Sequence, residues 1–312
     1  MPDCPSLHLG LDLGGTNLKW AAVEHHGGDD WRALDRGQVA TESQEGPEAV
    51  IARMVGVARI AIDRWPPIAS VGIGVPGLYD SLAGATRFLV NVPGVWADQP
   101  VGPPIAAALG LPVALINDAR AFGLAELRLG AGRGVRSMIG LTLGTGIGGV
   151  LAIDGRVHQG HDGTAGEIGH QTIDPDGPLC NCGNRGCLEA FARADRVAEA
   201  CGTDTPESAV LAARAGDQRA REGLARIGRY LGIGIANMVV VISPDRVVLG
   251  GGWSAAGDLL LEPIRAELRL RVKTTDLREV EIVLAELGTW AGAIGAAVHG
   301  AEQAAARQES AG

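Results

Sequence analysis

Short apolar runs alternate with longer segments of helical apolar spacing along the 312 residues of this chain. The apolar runs predict buried β-strands over Leu7–Leu13, Trp20–Val23, Val71–Val75, Leu111–Ile116, Ser137–Leu143, Val150–Ile153, Arg156–His158, Val247–Leu249 and Glu281–Ala285. The helical spacing predicts helices over Glu48–Arg64, Ala119–Leu129, Leu188–Ala200, Gln218–Ile242, Ala255–Arg271 and Trp290–Ala306. Strands that alternate with helices in this way are typical of an α/β protein.

The first two predicted strands are joined by a glycine turn, Gly14-Gly15, followed directly by Thr16 and Asn17. Glycines in such a turn let backbone N–H groups approach a phosphate, although an ordinary tight hairpin explains the same pair. Asp12 lies just before the glycines and favours the phosphate interpretation. A carboxylate in that place can hold Mg²⁺ through water, whereas a plain hairpin gives it no evident partner.

A second glycine turn, Gly144 to Gly149, follows another predicted strand. Its spacing matches a dinucleotide fingerprint, but a hairpin rather than a helix comes next, so we interpret it, with Thr142 and Thr145, as a second phosphate clamp. The similar spacing from Gly72 to Gly77 is rejected for the same lack of a following helix. Gly250 to Gly252 follow a buried strand. There a nucleotide base or ribose can lie against bare backbone, with a flexible turn as the alternative.

Polar residues follow the predicted strand Leu111–Ile116 at its carboxyl end, where ligands of open α/β sheets collect. Asn117 and Asp118 stand there, immediately before a helix, and helix capping is the alternative interpretation. Two polar groups where one cap suffices favour a role in catalysis. Asn91, in a loop, can donate to and accept from a ligand hydroxyl at once.

Three cysteines and a histidine crowd the segment Gly166–Glu189. Cys180, Cys182 and Cys187 are spaced C-x-C-G-x-x-G-C, and the glycines give the backbone the freedom that a tight metal knuckle needs. We interpret the set as three thiolates on one zinc ion, with His170 as the fourth ligand. A redox pair or unbound surface thiols are the alternatives.

Composition excludes several classes of protein. The net charge of −9 argues against a general binder of nucleic acid or of anionic membranes, because phosphate binding draws on clustered Lys and Arg. The N-terminus has no basic region followed by an apolar run, so no signal peptide is predicted. The most apolar window, Leu231–Ile242, is too short to span a bilayer. With reduced thiols as metal ligands, these features predict a cytoplasmic protein.

The motifs D-L-G-G-T-N, G-I-G-V-P-G, N-D-A, L-G-T-G-I-G-G, G-E-I-G-H and C-x-C-G-x-x-G-C-L-E occur in this order over nearly the whole chain. This set resembles the ROK family of sugar kinases and repressors, and is most like its bacterial glucokinases. The resemblance implies an actin-like, ribonuclease-H-like kinase fold with two α/β domains around a cleft. It also implies Asp118 as the catalytic base and His170 with the three cysteines on zinc.

The resemblance implies sugar contacts from Gly77, Asn91, Asn117, Asp118, Glu167, His170 and Glu189. Together with the glycine turns, the predicted nucleotide contacts are Asp12, Gly14, Gly15, Thr16, Asn17, Lys19, Thr142, Gly144, Thr145, Gly146, Gly250, Gly251 and Gly252. His170 would have one ring nitrogen on zinc and the other toward the sugar.

We therefore expect a kinase that uses ATP with Mg²⁺ and a structural Zn²⁺ to phosphorylate an aldohexose, glucose above all, at its 6-hydroxyl. The alternatives are a kinase for an N-acetylhexosamine or fructose and a sugar-responsive regulator of the same family. The expected domains are residues 1–117 with 290–312, the smaller one, and residues 118–289, the larger one with the knuckle. A homodimer or homotetramer is expected.

Zinc and nucleotide are expected to act separately. The glycine turns lie elsewhere in the sequence than the knuckle, so loss of zinc is predicted to impair sugar binding first and nucleotide binding little.

Overall fold

The computed structural model describes residues 5–89, 91–161 and 163–311. Its strands are β1 (Ser6–Leu13), β2 (Asn17–His25), β3 (Trp31–Ala40), β4 (Ile68–Val75), β5 (Gly77–Asp80), β6 (Ala85–Leu89), β7 (Gln99–Pro100), β8 (Val113–Asn117), β9 (Met138–Leu143), β10 (Ile147–Ile153), β11 (Arg156–Val157), β12 (Arg246–Gly250) and β13 (Glu281–Leu284). Its α-helices are α1 (Pro47–Arg64), α2 (Gly102–Leu109), α3 (Asp118–Leu129), α4 (Leu188–Ala192), α5 (Ala194–Cys201), α6 (Pro206–Arg214), α7 (Gln218–Ile242), α8 (Asp258–Arg271) and α9 (Ala291–Ala311). Short 3₁₀ helices span Ser43–Glu45, Ile168–His170, Gly252–Ala256 and Gly288–Trp290.

The chain divides into two compact units, and the first comprises residues 1–130 with 289–312. Its main sheet has the strand order β3-β2-β1-β4-β8, in which β1, β4 and β8 are parallel. Successive side chains of β1 point to opposite faces. Leu9 and Leu11 join the core that includes Met54 of α1, whereas Gly10 and Asp12 face α9.

Helix α9 packs closely against this sheet. A Cβ atom on Gly10 or Gly72 would overlap with the backbone of α9, and one on Gly295 would overlap with Ala121 of α3. Bare glycine backbone is therefore what lets the helix approach β1, β4 and α3.

The boundary between the units differs from the predicted one. It lies after Gly130 rather than after Asn117, because α3 packs against α9 and so belongs to the first unit. The two units are also nearly equal in length, so the second is not clearly the larger one.

The second unit, residues 131–288, has a sheet of strand order β11-β10-β9-β12-β13. Strands β9, β12 and β13 are parallel, and β10 and β11 form the antiparallel edge. Helix α7 packs against α5, α6 and α8. The core of this unit contains Leu231 and Ile235 of α7 together with Trp253.

Two predicted helices are interrupted in the structure. The helix predicted over Leu188–Ala200 is split into α4 and α5 by Arg193, which adopts an extended conformation. The helix predicted from Ala255 starts as a 3₁₀ turn and breaks at Gly257, where φ is 59°. Strand β3 was not predicted because all of its residues are exposed or only partly buried, so it has no buried apolar run. The short helices α2 and α6 were also not predicted.

Helix α7 is long and apolar enough to cross a membrane by length and composition alone. Its buried face contacts four other helices of the second unit, α4, α5, α6 and α8, as the core helix of a globular domain does. The helix is therefore weak evidence for a membrane span.

Candidate active site

Three parallel strands of the first unit end at the same edge of its sheet. Asp12 of β1 lies beside Gly74 of β4, and Val75 of β4 lies beside Asn117 of β8. The two predicted polar sites, at Asp12 and at Asn117-Asp118, therefore share this carboxyl-end edge, where open α/β sheets bind their ligands.

Asn117 caps helix α3. Its Oδ1 accepts hydrogen bonds from the N–H groups of Ala119 and Arg120, at 3.0 and 3.2 Å, and its Nδ2 donates to Gly77 O at 3.2 Å. The capping alternative is thus what the structure shows for Asn117, which is buried. Asp118, the first residue of α3, is only partly buried, and its Oδ1 accepts from Ala119 N at 2.8 Å.

The carboxylate of Asp12 occupies space that two glycines leave open. A Cβ atom on Gly292 would lie 2.5 Å from Asp12 Oδ2, and one on Gly74 would lie 3.4 Å from Oδ1. Burial raises the pKa of Asp12 to about 6, and the nearby Lys19, its partner across β1 and β2, lowers this pKa in part. The Nζ of Lys19 also donates to Thr289 O at 2.9 Å. Lys19 therefore holds the edge of the site together.

The segment that follows β3 donates hydrogen bonds to the carbonyls of the first glycine turn. Thr41 Oγ1 donates to Gly14 O at 2.6 Å, and Ser43 Oγ donates to Gly15 O at 2.8 Å. Neither hydroxyl was predicted. The one signal for them in the sequence is that two hydroxyl residues directly follow a strand that pairs with β2. That signal could be used only if strand β3 had been predicted, and β3 has no apolar run.

The loop of Asn91 touches the same turn from another side. A Cβ atom on Gly15 would overlap with Asn91 O, and Asn91 itself has a left-handed conformation with φ 60°. The side chain of Asn91 is exposed. The structure therefore places one predicted sugar contact directly against a predicted phosphate contact.

In the second unit the two remaining glycine turns lie side by side. Thr142 of β9 is the register partner of Gly250 of β12, and a Cβ atom on Gly251 would overlap with the backbone of Leu143. Gly144 N donates to Gly146 O at 3.0 Å, which closes the turn that contains the exposed Thr145.

The carbonyl of Gly144 is fixed by two donors. Ala194 N, at the start of α5, donates to it at 3.2 Å, and Trp253 Nε1 donates to it at 3.3 Å. Since the carbonyl of one residue and the N–H of the next point in opposite directions across a planar peptide, these bonds also fix the N–H of Thr145. Trp253, which is buried, was not predicted as a site residue.

A cavity of about 690 Å³ opens beside these turns, within the second unit. Its lining includes Gly144, Thr145, Asn181, Arg193, Glu207 and Trp253. Its size is typical of sites for small molecules. Arg193 forms an ion pair with Asp195 at 2.8 Å, and the hydrogen bond to this carboxylate raises the pKa of Arg193. A Cβ atom on Gly252 would lie 3.3 Å from Glu207 Oε1, so bare backbone meets a carboxylate at the cavity wall.

The knuckle segment contacts the second glycine turn directly. Glu189 Oε2 accepts from Ile147 N at 2.9 Å, and a Cβ atom on Gly146 would overlap with the same carboxylate. Asn181, between two of the cysteines, lines the cavity together with Gly144. This turn is far from the knuckle in the sequence but contacts it in the structure, because α4 carries Glu189 onto β10.

His170 and the three cysteines converge on one point. Their ligand atoms all lie within 4.8 Å of one another. Cys180 Sγ is 3.7 Å from His170 Nδ1, and Cys182 Sγ is 3.7 Å from Cys187 Sγ. A tetrahedral zinc site with Zn–S of about 2.3 Å and Zn–N of about 2.0 Å separates neighbouring ligand atoms by roughly 3.5 to 3.8 Å. The four side chains therefore fit zinc.

The thiols differ in their surroundings. Burial raises the pKa of Cys187 to about 12 and raises that of Cys180, whereas a hydrogen bond from the backbone of Asn184 lowers the pKa of the exposed Cys182. Asn184 Nδ2 also lies 3.3 Å from Cys187 Sγ, where it can donate to a thiolate. A metal ion at this point would displace the thiol protons, so its binding is expected to depend on pH.

Glu167 and His170 lie on one turn. His170 N donates to Glu167 O at 3.0 Å, and the 3₁₀ helix between them buries Ile168 and Gly169 against β10. Glu167 is exposed. Since Nδ1 of His170 faces the cysteines, its Nε2 points away from them.

The sequence matches the description of the ROK family over residues 8–302. The chain belongs to the ROK family. Among curated relatives of this ROK protein, the glucokinase of Streptomyces coelicolor is 34% identical over 317 residues, covering 93% of this chain and 96% of the relative.

Two solved structures are similar to this chain in both sequence and fold. The ROK hexokinase from Thermus thermophilus has a TM-score of 0.84 and 34% identity, and the match covers 96% of this chain and 99% of that one. A ROK family glucokinase from Streptomyces griseus, solved in complex with glucose and AMPPNP, has a TM-score of 0.80 and 30% identity over 95% of this chain and 100% of that one. The predicted family and fold of this ROK protein are confirmed.

Proposed function

We propose that this ROK protein is an ATP-dependent kinase that converts glucose to glucose 6-phosphate. The observation that supports it most directly is the shared sheet edge in the first unit. There Asp12 stands beside a glycine turn suited to phosphate, and Asp118 stands at the start of a helix.

Asp118 acts as the general base in this proposal. Its carboxylate accepts the proton of the sugar 6-hydroxyl as the γ-phosphoryl group moves to that oxygen. Asn117 holds the start of α3, and so the position of Asp118, through its cap and its bond to Gly77 O. Asn91, Glu167, His170 and Glu189 are the further proposed sugar contacts.

The glycine turns hold the nucleotide. The N–H groups of the turns at Gly14-Gly15 and Gly144–Gly146 donate to phosphate oxygens, and the cavity beside Trp253 takes the nucleoside. Glu207, at the wall beside Gly252, is placed to accept from ribose hydroxyls. When Mg²⁺ is bound with ATP, it neutralises charge on the phosphates, and Asp12 offers the hard oxygen ligand that this ion prefers.

Zinc on His170, Cys180, Cys182 and Cys187 is part of the proposal, with a structural role. The fit of the four ligand atoms to a tetrahedral site supports it. A cytoplasmic location suits such thiolate ligands, which need reducing surroundings. We also propose a homodimer or homotetramer, and exposed apolar residues such as Val241 and Leu270 would suit an interface. Sedimentation equilibrium tests this, and a monomer at micromolar concentration would refute it.

A coupled assay across glucose, mannose, fructose, N-acetylglucosamine and N-acetylmannosamine tests the substrate. We expect the highest kcat/KM with glucose. A higher value for an N-acetylhexosamine or fructose would make that sugar the substrate instead. Glucose binding without any phosphorylation would favour the sugar-responsive regulator.

The Asp118→Asn variant tests the base. It keeps the shape and removes the proton acceptor, so kcat should fall by roughly two to four powers of ten while glucose still binds. A correctly folded variant with near-normal kcat would remove Asp118 from the mechanism.

A further inference from the structure

We propose that Thr41 and Ser43 are positioning residues that set the peptide planes of the first phosphate-binding turn, Gly14 to Thr16. The inference rests on the proposed function, because it concerns the site that would hold the phosphates of ATP. Neither side chain need touch the nucleotide. Their role is to decide where the backbone N–H groups of the turn point.

Three successive carbonyls of the turn are held from one side. Thr41 Oγ1 donates to Gly14 O at 2.6 Å, Ser43 Oγ donates to Gly15 O at 2.8 Å, and Thr41 N donates to Thr16 O at 2.8 Å. The two residues thus bind every carbonyl from Gly14 to Thr16.

Because each peptide group is planar, these bonds also fix the directions of the neighbouring N–H donors. In a trans peptide the carbonyl of one residue and the N–H of the next point in opposite directions. Fixing the carbonyls of Gly14 and Gly15 therefore turns the N–H groups of Gly15 and Thr16 away from the Thr41–Ser43 segment. In the described chain no protein acceptor receives either N–H. Neighbouring N–H groups left without a partner form a concavity suited to an anion.

The supporting segment is itself held by packing and hydrogen bonds. Thr41 is fully buried and Ser43 is 5% exposed, so both hydroxyls are packed rather than free to rotate toward water. Arg53 of α1 donates to Thr41 O at 2.8 Å and to Glu45 at 2.8 Å, and it also pairs with Glu42. Glu42, between the two hydroxyl residues, has a left-handed conformation with φ 50°. A non-glycine residue holds such a conformation only when its surroundings impose it.

A purely structural role for the hydroxyls makes a different prediction. If Thr41 and Ser43 only stabilise the fold, their loss lowers the melting temperature and leaves nucleotide affinity as it was. If they position the turn, their loss weakens binding of nucleotides that carry β- and γ-phosphates and spares both AMP and glucose.

The experiment uses the full chain with the variants Thr41→Val and Ser43→Ala, and Thr41→Ser as the conservative replacement that keeps the hydroxyl. Ser70→Ala is the matched control, since Ser70 is fully buried in the same unit and bonds His8 Nδ1 at 2.8 Å, away from the turn. Calorimetry gives Kd for a non-hydrolysable ATP analogue, for AMP and for glucose. Thermal unfolding gives Tm for each variant.

We expect Thr41→Val and Ser43→Ala each to raise Kd for the ATP analogue about 3- to 10-fold, the size of one lost hydrogen bond. The Kd values for AMP and glucose should stay near those of the wild type. Thr41→Ser should restore the analogue affinity, and Ser70→Ala should lower Tm without changing any of the three Kd values.

Unchanged analogue affinity in both hydroxyl-loss variants would overturn the inference. So would an equal loss for AMP and glucose, which would indicate general unfolding. Failure of this inference can be distinguished from failure of the proposed function. A wild type that binds the ATP analogue but phosphorylates no sugar overturns the function alone, and the Kd comparison still decides the inference. A wild type that binds no nucleotide overturns both.

Discussion

Glu189 Oε2 accepts a hydrogen bond from the backbone N–H of Ile147 at 2.9 Å. Through this bond the helix that follows the knuckle reaches the glycine turn of the second unit. Cys187 is the residue immediately before α4, and Glu189 is its second residue. The position of the carboxylate is thus tied to Cys187, a proposed zinc ligand, at one end and to the turn at the other.

Glu189→Ala should weaken the binding of both ATP and glucose. Ile147 is buried, so loss of the carboxylate leaves its N–H without an acceptor, at a cost of about 1 to 3 kcal/mol. We expect KM to rise for ATP as well as for glucose, measured in the coupled assay. Glu189→Gln is the control, since its amide oxygen can still accept from Ile147 N, and the ATP effect should be smaller. A rise confined to glucose would show that the bond does not shape the turn.

Zinc removal should likewise affect both ligands. Protein purified without chelator is expected to contain about one zinc per chain, and Cys182→Ala should lose it. Because Asn181 and Glu189 link the knuckle to the cavity and the turn, apo protein should bind glucose and an ATP analogue more weakly, as measured by calorimetry. A metal-free, fully active preparation would refute the zinc assignment. Unchanged analogue affinity in apo protein would refute the link to the turn.

The pKa of Asp12 predicts that its ionised carboxylate, which the proposed function needs, makes the folded protein less stable. Its folded value, about 6, lies above its ordinary value of 3.8, so the folded state binds the proton more tightly between these pH values. The free energy of unfolding should therefore decrease as pH rises through this window, and ionised Asp12 should cost about 2 to 3 kcal/mol above pH 6.

Asp12→Asn removes that cost. The variant should be more stable than the wild type at pH 8, with a difference that vanishes near pH 4, while activity falls because the proposed Mg²⁺ ligand is lost. Denaturant titrations at both pH values measure this. Asp63→Asn, on the exposed face of α1, is the matched control for the loss of a carboxylate. A less stable Asp12→Asn variant at pH 8 would contradict the prediction.

Gly292→Ala should disturb the same carboxylate from the helix side. Its Cβ atom would lie 2.5 Å from Asp12 Oδ2, so either the carboxylate or α9 must move. We expect lower stability and a raised KM for ATP, from thermal unfolding and steady-state kinetics. Gly56→Ala is the control, because Gly56 lies in α1 with no atom within 4 Å of an added Cβ, and helix propensity should make it neutral or up to about 1 kcal/mol stabilising. Equal behaviour of the two variants would refute the contact's importance.

Much of the fold could be predicted because apolar runs, and the glycines that end them, are signals within short stretches of sequence. Helix α7 begins and ends at the predicted residues, and β1 and β4 lie where their apolar runs predict them. Strand β3 could not be found in this way, since its pairing with β2, and not burial of its own side chains, makes it a strand. The break between α4 and α5 at Arg193 likewise depends on packing, which no local pattern contains.

The candidate site divides in the same way. The cysteine spacing and the glycine turns are visible in the sequence, and the four ligand atoms of the knuckle do converge. The hydroxyls of Thr41 and Ser43 and the bond from Ile147 to Glu189 join residues far apart in the chain. Such contacts follow from tertiary packing, so they could not be predicted from spacing.

The return of α9 to the first unit has a consequence for synthesis on the ribosome. Residues 131–288 form a continuous stretch and can complete their own core as soon as they emerge. The sheet of β1, β4 and β8 must wait for residues 291–311, because the nearest atoms over the bare backbone at Gly10 and Gly72 belong to α9. During translation the half that is made first is therefore finished last, and the nascent chain presents an open sheet face to chaperones until the final helix arrives.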